Sequence, residues 1–431
     1  MNVQYLTRPH DRPRHASFLG LLIAAYFLLA PLEDVLATSG NTVAKYFALA
    51  ICLLALQPIL RDARHRLRMD AVVGSLVYLA ALAWVSVAWA QYPDSARTAA
   101  SSYVLLIGLF VVVYFLDLSA GDISLIERLT VLGGWLSAAY IVYSGQLQDI
   151  LSQRLVLTDT SDPNNLSALL ALPAILSFHK FLRSESTKIR VVYFISFLGL
   201  SFLMVATGSR GAMLGLGAFL LVYAFLLSRS TGIRKLLTVV GGLLVVITVI
   251  ISVIPAELRD RLFSLGGYTV DFTGQSTNTR SVIWSHVVEE VIPNMPLYGV
   301  GSGNAPDMLV PWYFDRRGVH SIYLNMIVEY GILGIPVFFG FLGALFIRNL
   351  RRSDYLRVSA LIAFLVIAAF LDAFTKKYFW NAMIYIAIGL RAPDATTAHH
   401  PVTAVAERPK TVSGPARQLG SLAPATRGNN H

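Results

Sequence analysis

The chain has 431 residues, of which 55% are hydrophobic and only 14% are charged, and its formal net charge is +10. Soluble domains carry about 25% charged residues, so this composition excludes a soluble protein. Apolar runs long enough to cross a hydrocarbon core recur along most of the chain. They predict an all-α polytopic membrane protein and exclude a barrel of alternating strands. Cytoplasmic lysines and arginines and anionic lipids then account for the positive charge, and no nucleic-acid partner is expected.

Hydropathy predicts twelve transmembrane helices. In chain order they lie near 17–34, 42–60, 71–90, 98–116, 124–143, 165–182, 190–207, 211–228, 236–254, 321–347, 356–373 and 377–391. The predicted regions are an N-terminus (1–16), nine helices (17–254), a large loop with short amphipathic helices (255–320), three helices (321–391) and a disordered tail (392–431). The N-terminus is basic but has no signal-peptide cleavage pattern, so the first helix is predicted to be uncleaved.

The positions of lysine and arginine predict the orientation. Most of the 35 basic residues lie in the two terminal segments and in one set of alternate connections. The positive-inside rule places that set, and both termini, in the cytoplasm. The large loop, the turn "TGSRG" at 207–211 and the segment "TDTSDPNN" at 158–165 then face outward. One elaborated loop on a single face indicates that the specific work of the protein is done there.

Arg210 lies between two apolar runs, in the turn "TGSRG". An arginine at a membrane interface can simply extend toward lipid phosphates. Here Gly208 and Gly211 allow a close backbone approach and Ser209 adds a hydrogen-bond donor. A helix is predicted to begin right after Arg210, and its free N–H groups would point to the same place. A guanidinium beside a helix N-terminus predicts an anion site that suits bidentate phosphate binding.

Arg280 and Trp284 begin the segment "RSVIWSHVVEEVI" in the large loop. An amphipathic helix is predicted here, with a cap at Asn278 or Thr279 and an apolar face of Ile283, Val287, Val288, Val291 and Ile292. A cation is unfavourable in the first turn of a helix, and an anion bound there would remove the penalty. The alternative is that Arg280 pairs with a carboxylate such as Asp271.

His320 marks the point where the large loop enters the tenth predicted helix. It is either a polar interface residue or the best proton acceptor on the outer face, because histidine is the side chain suited to proton transfer near neutral pH. Tyr323 follows one turn later. Glu329 lies deeper, and its helical phase predicts a structural role with a partner. Arg316 and Arg317 are either further phosphate contacts or solvated loop charges.

Several common chemistries are missing from the sequence. Cys52 is the only cysteine, so there is neither an internal disulfide nor a cysteine-based metal site. We find no Asp-x-Asp pair, no His-Glu-x-x-His, no phosphate-binding Gly-x-x-x-x-Gly-Lys and no serine nucleophile elbow. Arginines with one histidine suit a substrate that arrives with a large anionic leaving group, such as a lipid diphosphate. No metal or other cofactor is expected.

The ordered segments "DPNNLSALLALP", "TGSRGAML", "TRSVIWSHVVEEVIPNMPLYGVGSGN" and "HSIYLNMIVEYGILG" resemble the bacterial O-antigen ligase and O-antigen polymerase family. The resemblance covers roughly residues 155–335, and the first five predicted helices match only in general character. It implies a membrane glycosyltransferase that takes a glycan from undecaprenyl diphosphate at the periplasmic face of the bacterial inner membrane. The acceptor is another glycan or lipid A–core. A chain-length regulator and a flippase are possible partners.

The resemblance also implies roles for individual residues. Arg210 and Arg280 would bind the diphosphate, and His320 would activate the acceptor hydroxyl. The glycine-rich turn at 296–304 would shape the loop. Nearby residues are predicted to contact substrate: Asn164, Ser209, Gly211, Trp284, Arg316, Arg317 and Tyr323.

The sequence leaves three alternatives open. Within the family, a polymerase of an exopolysaccharide or O-antigen is favoured over an O-antigen ligase, because nothing in the sequence marks a lipid A–core acceptor. A transporter or flippase would need ionisable residues along a cavity within the helices, where Glu329 and Asp372 are the chief candidates, and repeated broken helices. A non-catalytic membrane scaffold with a basic, lipid-binding loop is the third.

Overall fold

The structure is a computed structural model that describes residues 16–36, 43–61, 69–145, 155–158, 162–231, 241 and 277–390. This part of the chain is helical and contains no strand. Its main helices are α1 (Phe18–Leu29), α2 (Val43–Arg61), α3 (Ala71–Val85), α4 (Pro93–Phe115), α5 (Ala120–Tyr143), α6 (Pro163–Arg183), α7 (Thr187–Ala206), α8 (Arg210–Thr231), α9 (Thr277–His286), α10 (Ile322–Arg351), α11 (Tyr355–Ala368) and α12 (Lys377–Ala387).

The predicted all-α polytopic class is confirmed. Among the described residues, eight helices are long and apolar enough to cross a membrane, and Phe18–Leu32 and Tyr355–Ala368 form two shorter apolar stretches. The predicted count of twelve transmembrane helices stays a prediction. The ninth predicted helix at 236–254 lies, apart from residue 241, outside the described residues. So do most of the N-terminus and the tail.

The twelfth predicted transmembrane helix corresponds to the short helix α12. Its residues Tyr378 to Ala387 are all buried. Trp380 packs against the rings of Phe110, Phe341 and Phe374 at centroid distances of 6.3, 6.4 and 5.3 Å. The hydroxyl of Tyr385 in this helix donates to Glu127 at 2.9 Å. We describe α12 as a central helix of the protein core, and its crossing of the membrane stays a prediction.

Helix α10 was predicted as one continuous span, but it is broken at Gly331, where φ is 53° and ψ is −143°. The glycine-rich turn at 296–304 docks into this break. The backbone N–H groups of Val300 and Gly301 donate to the carbonyls of Val328 and Glu329, at 2.9 and 3.0 Å. A Cβ at Gly331 would come within 2.0 Å of the Leu297 carbonyl oxygen, so only glycine fits here.

The turn is also fixed to the first half of the protein. The Ser302 hydroxyl lies 3.0 Å from the Ser86 hydroxyl and 2.8 Å from the Tyr330 hydroxyl. The Asn304 side chain accepts a hydrogen bond from the backbone N–H of Tyr92 at 2.8 Å. The glycine-rich turn therefore connects the end of α3 and the start of α4 to the broken part of α10, and this shapes the loop as the resemblance implied.

Ionic contacts join the helices at the end opposite to the large loop. Arg348, near the C-terminal end of α10, donates to the carboxylate of Asp70 at 2.7 Å, and Asp70 caps the N-terminus of α3. The Lys180 ammonium of α6 lies 2.5 Å from the Glu127 carboxylate of α5, which also accepts a bond from the Tyr385 hydroxyl. These pairs fix the positions of the helix ends relative to one another. The opposite end of the protein, which carries the large loop, is therefore supported by a rigid helix bundle.

Candidate active site

The predicted amphipathic helix in the large loop is present, with two corrections. Helix α9 begins at Thr277, so Asn278 and Thr279 lie inside its first turn and neither is the cap. A π-helical turn at Val287–Val291 follows α9. Ile283, Val287 and Val291 are buried, but Val288 is 51% exposed. The π turn holds extra residues per turn, and this rotates Val288 out of the predicted apolar face.

Trp284 supports the segment that carries His320. Its indole N–H donates to the carbonyl of Val319 at 2.9 Å, and its ring lies 6.1 Å from the ring of Phe370. Trp284 therefore contacts both the end of the large loop and the connection that follows α11. Its predicted contact with substrate stays a prediction.

His320 is held by Asp372 through two contacts. The backbone N–H of His320 donates to Asp372 Oδ1 at 2.8 Å, and its Nδ1 lies 3.5 Å from Asp372 Oδ2. The second distance is longer than a usual hydrogen bond, and it becomes an ion pair when the imidazole takes up a proton. His320 also has a φ of 54°, which is uncommon for a residue with a side chain. Because Nδ1 faces Asp372, Nε2 is the ring nitrogen left for a substrate.

Asp372 was placed inside a transmembrane helix by the hydropathy of 356–373, and this is wrong. Helix α11 ends at Ala368, and Asp372 lies in the connection to α12. Burial raises the pKa of the Asp372 carboxyl, and the charges of His320, Lys376 and Arg280 act against that rise. Hydropathy assigned Asp372 to the span because apolar residues continue past the end of the helix.

Arg280 is close enough to the same carboxylate for the two charges to interact. Burial lowers the pKa of its guanidinium, whereas the charges of Asp162 and Asp372 raise it. Among the described residues no carboxylate lies within ion-pair distance of Arg280, and the suggested partner Asp271 is outside them. An arginine stays charged in such surroundings. Arg280 is therefore a half-buried cation that approaches the His320–Asp372 pair.

Arg210 is the first residue of α8, as the predicted helix start required. Gly208 before it has a φ of 66°, the left-handed region that glycine tolerates. A Cβ at Gly211 would come within 2.9 to 3.1 Å of the Phe370 side chain, so α8 packs closely against the end of α11. Phe370 in turn contacts Trp284. The start of α8 and Trp284, near the end of α9, thus both contact Phe370, two residues before Asp372.

Two other predicted site residues, Ser209 and Asn164, form hydrogen bonds with residues close to them in the chain. Ser209 is buried, and its backbone N–H lies 3.3 Å from the hydroxyl oxygen of Thr207. Asn164 is also buried, and its side-chain amide donates to Asp162 Oδ1 at 2.9 Å. Asp162 caps α6 and acts electrostatically on Arg280, so Asn164 lies next to the site. Contacts of Ser209 and Asn164 with substrate stay predictions.

The side chains of Arg316, Arg317 and Tyr323 contact residues outside the His320–Asp372 pair. The Nε and one terminal nitrogen of Arg316 donate to the two carboxylate oxygens of Asp307, at 2.6 and 3.0 Å. The Arg317 guanidinium lies 5.0 Å above the ring of Tyr313. The Tyr323 hydroxyl donates to the Leu365 carbonyl at 2.9 Å. The contacts of these three side chains are with residues other than His320 and Asp372, although Arg316 and Asp372 line one cleft. Their roles in substrate binding stay predictions.

Gly318 makes room for Asp372. A Cβ at Gly318 would come within 2.1 Å of Asp372 Oδ2 and 3.4 Å of His320 Cε1. We expect Gly318→Ala to displace the carboxylate and to lower kcat for glycan transfer by about 10²-fold, the effect of a small misplacement near the reacting atoms. Gly343→Ala is the control, since nothing lies within 4 Å of its Cβ position. Equal turnover in the two variants would show that Asp372 needs no such space.

Neither Asp372 nor Gly318 was selected as a site residue from the sequence, although Asp372 was noted as a charge within a predicted span. Asp372 could have been identified from its position in the short connection between α11 and α12, next to the end of the large loop. No group of three or more His, Cys, Asp and Glu side chains is placed to hold a metal ion among the residues that the structure describes.

Comparison with known proteins identifies the central part of the chain. Residues 194–339 match the family model described as O-antigen ligase. A search of curated proteins found no match. The matched segment is about a third of the chain and includes Arg210, Arg280 and His320, as well as Trp284 and Gly318. It confirms the predicted resemblance of this segment to the family, and the apolar helices confirm a polytopic membrane protein.

Proposed function

We propose that this chain, which carries a domain of the O-antigen ligase family, transfers a glycan from an undecaprenyl-diphosphate-linked donor to a sugar hydroxyl of an acceptor. The family implies a glycosyl-transferring enzyme with lipid-linked glycan substrates. The observation that carries the proposal is the juxtaposition of the half-buried Arg280 and the His320–Asp372 pair within one loop end. A fixed cation and a histidine held by a carboxylate are the groups that this transfer requires.

The arginines are proposed to stabilise the leaving group. As the bond between the anomeric carbon and the diphosphate oxygen breaks, negative charge grows on the diphosphate. Arg280, together with Arg210 and the backbone N–H groups at the start of α8, would stabilise that charge from fixed positions. Such preorganised electrostatic stabilisation is often the largest contribution to catalysis. The arginines supply the positive charge that a divalent metal would otherwise provide, so the proposed reaction is metal-independent.

His320 is proposed to activate the acceptor hydroxyl. Its Nε2 would take the proton of the acceptor hydroxyl while the hydroxyl oxygen forms a bond to the anomeric carbon and the diphosphate leaves with the bonding electrons. The protonated imidazole is stabilised by Asp372, as in other histidine–carboxylate pairs. A single direct displacement inverts the anomeric configuration. Asp372 therefore acts as a positioning residue.

The orientation completes the proposal. Both termini lie in the cytoplasm, and the large loop and His320 face the periplasm of the bacterial inner membrane. The separation of the ionic contacts of Arg348 and Lys180 from the loop end supports this arrangement. We place an exopolysaccharide or O-antigen polymerase first and an O-antigen ligase second. A chain-length regulator and a flippase are the expected partners of a polymerase.

A deletion strain and a purified enzyme test the proposal together. For a polymerase we expect the deletion to leave surface glycans of single repeat units, whereas loss of a ligase leaves full-length chains on the lipid carrier. The purified protein should join glycans from the lipid-linked donor and release undecaprenyl diphosphate. Unchanged surface polysaccharide in the deletion strain, with no transfer by the purified protein, would contradict the proposed function.

A further inference from the structure

An open cleft of about 620 Å³ lies beside Asp372, on segments that the proposed donor site does not use. Its walls come from the start of α4, the end of the glycine-rich turn, the first turns of α10 and the connection between α11 and α12. The polar lining residues used below include Thr98, Ser102, Asn325 and Lys376. Asp372 also lines this cleft, and Asp372 contacts His320. A ligand in the cleft would therefore lie next to the histidine–carboxylate pair.

The hydroxyl groups of α4 are oriented to accept hydrogen bonds. The Thr98 hydroxyl donates to the Asp94 carbonyl at 2.9 Å, and the Ser102 hydroxyl donates to the Thr98 carbonyl at 3.0 Å. Each donor proton is thus used within the helix, and the oxygen lone pairs remain for a ligand. Both side chains are exposed on the cleft wall. They suit a ligand rich in hydroxyl donors.

Asn325 supplies an independent observation. The residue is only 5% exposed, and its Nδ2 donates to Glu329 Oε1 at 3.2 Å. Its Oδ1 is buried and has no hydrogen-bond partner within the described part of the chain. A buried polar atom without a partner is uncommon in proteins and calls for an explanation. A hydroxyl donated by a ligand in the cleft would satisfy it.

The charges of the cleft disfavour a diphosphate. Asp94 and Asp372 contribute carboxylate groups to its lining. Arg316 also lines the cleft, but its guanidinium is bound by Asp307. Lys376 is left as the basic residue of the lining that no carboxylate holds in an ion pair among the described residues. A dianionic leaving group therefore belongs on the Arg280 side of Asp372, and an uncharged polar ligand belongs in the cleft.

We infer that this cleft binds the acceptor saccharide and presents one of its hydroxyl groups to His320, which lies between the acceptor and the donor. The inference rests on the proposed function and adds the acceptor site to it. The cleft volume lies within the range of about 300–1,000 Å³ that is usual for ligand sites, and it accommodates a short oligosaccharide. The saccharide comes either from a second lipid-linked repeat unit or from the core of a lipopolysaccharide, and both have the same hydroxyl chemistry.

The variant Thr98→Trp would fill the cleft from the exposed face of α4, and Ser101→Trp is its matched control. Ser101 is also exposed on α4 but does not line the cleft, and its hydroxyl donates to the Arg97 carbonyl at 2.7 Å. Thr98→Val, which keeps the shape and removes the hydroxyl, is the conservative variant. All three act on an exposed helix face, where substitutions are tolerated by the fold.

Binding is measured on the full protein in lipid nanodiscs by titration, separately from transfer. The probes are the oligosaccharide released from the strain's own lipid-linked donor and the core oligosaccharide of its lipopolysaccharide. We expect one of them to bind, Thr98→Trp to weaken binding by tenfold or more, and Thr98→Val by about threefold to tenfold, as expected for one lost hydrogen bond. Ser101→Trp and binding of the lipid-linked donor should remain unchanged. The probe that binds identifies the acceptor source.

The binding assay separates the two proposals. If Thr98→Trp binds both the oligosaccharide and the donor as the wild type does, or if the wild type binds neither oligosaccharide, the cleft is not the acceptor site. If an oligosaccharide binds and Thr98→Trp removes it, the acceptor site stands even when no transfer is detected. In that case only the proposed glycosyl transfer fails.

Discussion

The variant Arg280→Ala is expected to lose glycan transfer by about 10²–10³-fold or more while it still inserts and folds. Arg280 is half-buried beside Asp162 and Asp372, and it forms no ion pair with a carboxylate among the described residues. Its positive charge is therefore available to a diphosphate. Removal of one preorganised electrostatic contact has an effect of this size in other enzymes. The measurement is the initial rate of transfer by purified protein from a lipid-linked donor.

Related variants sharpen this expectation. Arg280→Lys and Arg210→Lys should stay well below the wild-type rate, because an ammonium does not reproduce the planar, bidentate guanidinium. The double variant Arg210→Ala/Arg280→Ala should show no transfer. Arg190→Ala is the control for the loss of one arginine, since Arg190 is exposed and donates to the Ser184 carbonyl at the opposite end of α7 from Gly208. Wild-type rates from the double variant would refute the diphosphate site.

The variant His320→Ala is expected to lose about 10²–10⁴-fold in kcat, the usual contribution of a general base, and to keep its affinity for the donor. His320 faces Asp372 through Nδ1, so Nε2 is the nitrogen that would take the acceptor proton. Donor binding uses the arginines instead, and it should therefore survive. Single-turnover rates and donor titrations on the same preparation separate the two effects.

Asp372→Asn tests the positioning role in the same assays. The amide oxygen can still accept the backbone N–H of His320, but the charge that stabilises the protonated ring is lost. We expect a lower kcat with an unchanged KM for the donor. A raised KM with an unchanged kcat would contradict this positioning role. His286→Gln is the control, because His286 bonds the Tyr313 hydroxyl at 3.1 Å and lies on α9 apart from Asp372.

Local sequence patterns were sufficient for most of the helices. The apolar runs predicted the described transmembrane helices to within a few residues, and the glycine–arginine turn placed the start of α8 at Arg210. The helix in the large loop was predicted from its periodicity. Its exact face was not, because the π turn at 287–291 is set by packing and leaves Val288 exposed.

The central position of α12 and the break in α10 could be recognised only from the tertiary structure. Hydropathy treats α12 as a weak transmembrane helix, because a helix surrounded by protein needs less length and less apolar surface than one surrounded by lipid. The pattern along α10 continues through Gly331, and only the docking of the glycine-rich turn explains the positive φ there.

The sequence by itself determined that the chain is an all-helical membrane protein and that Arg210, Arg280 and His320 are the residues to consider. Their types and their neighbours along the chain carry that information, because apolar length and helix ends are local properties. Only the tertiary structure placed Asp372 against His320, Gly318 against Asp372, and the cleft beside them. These contacts join residues that are far apart along the chain, so they depend on how the helices pack and not on any local pattern.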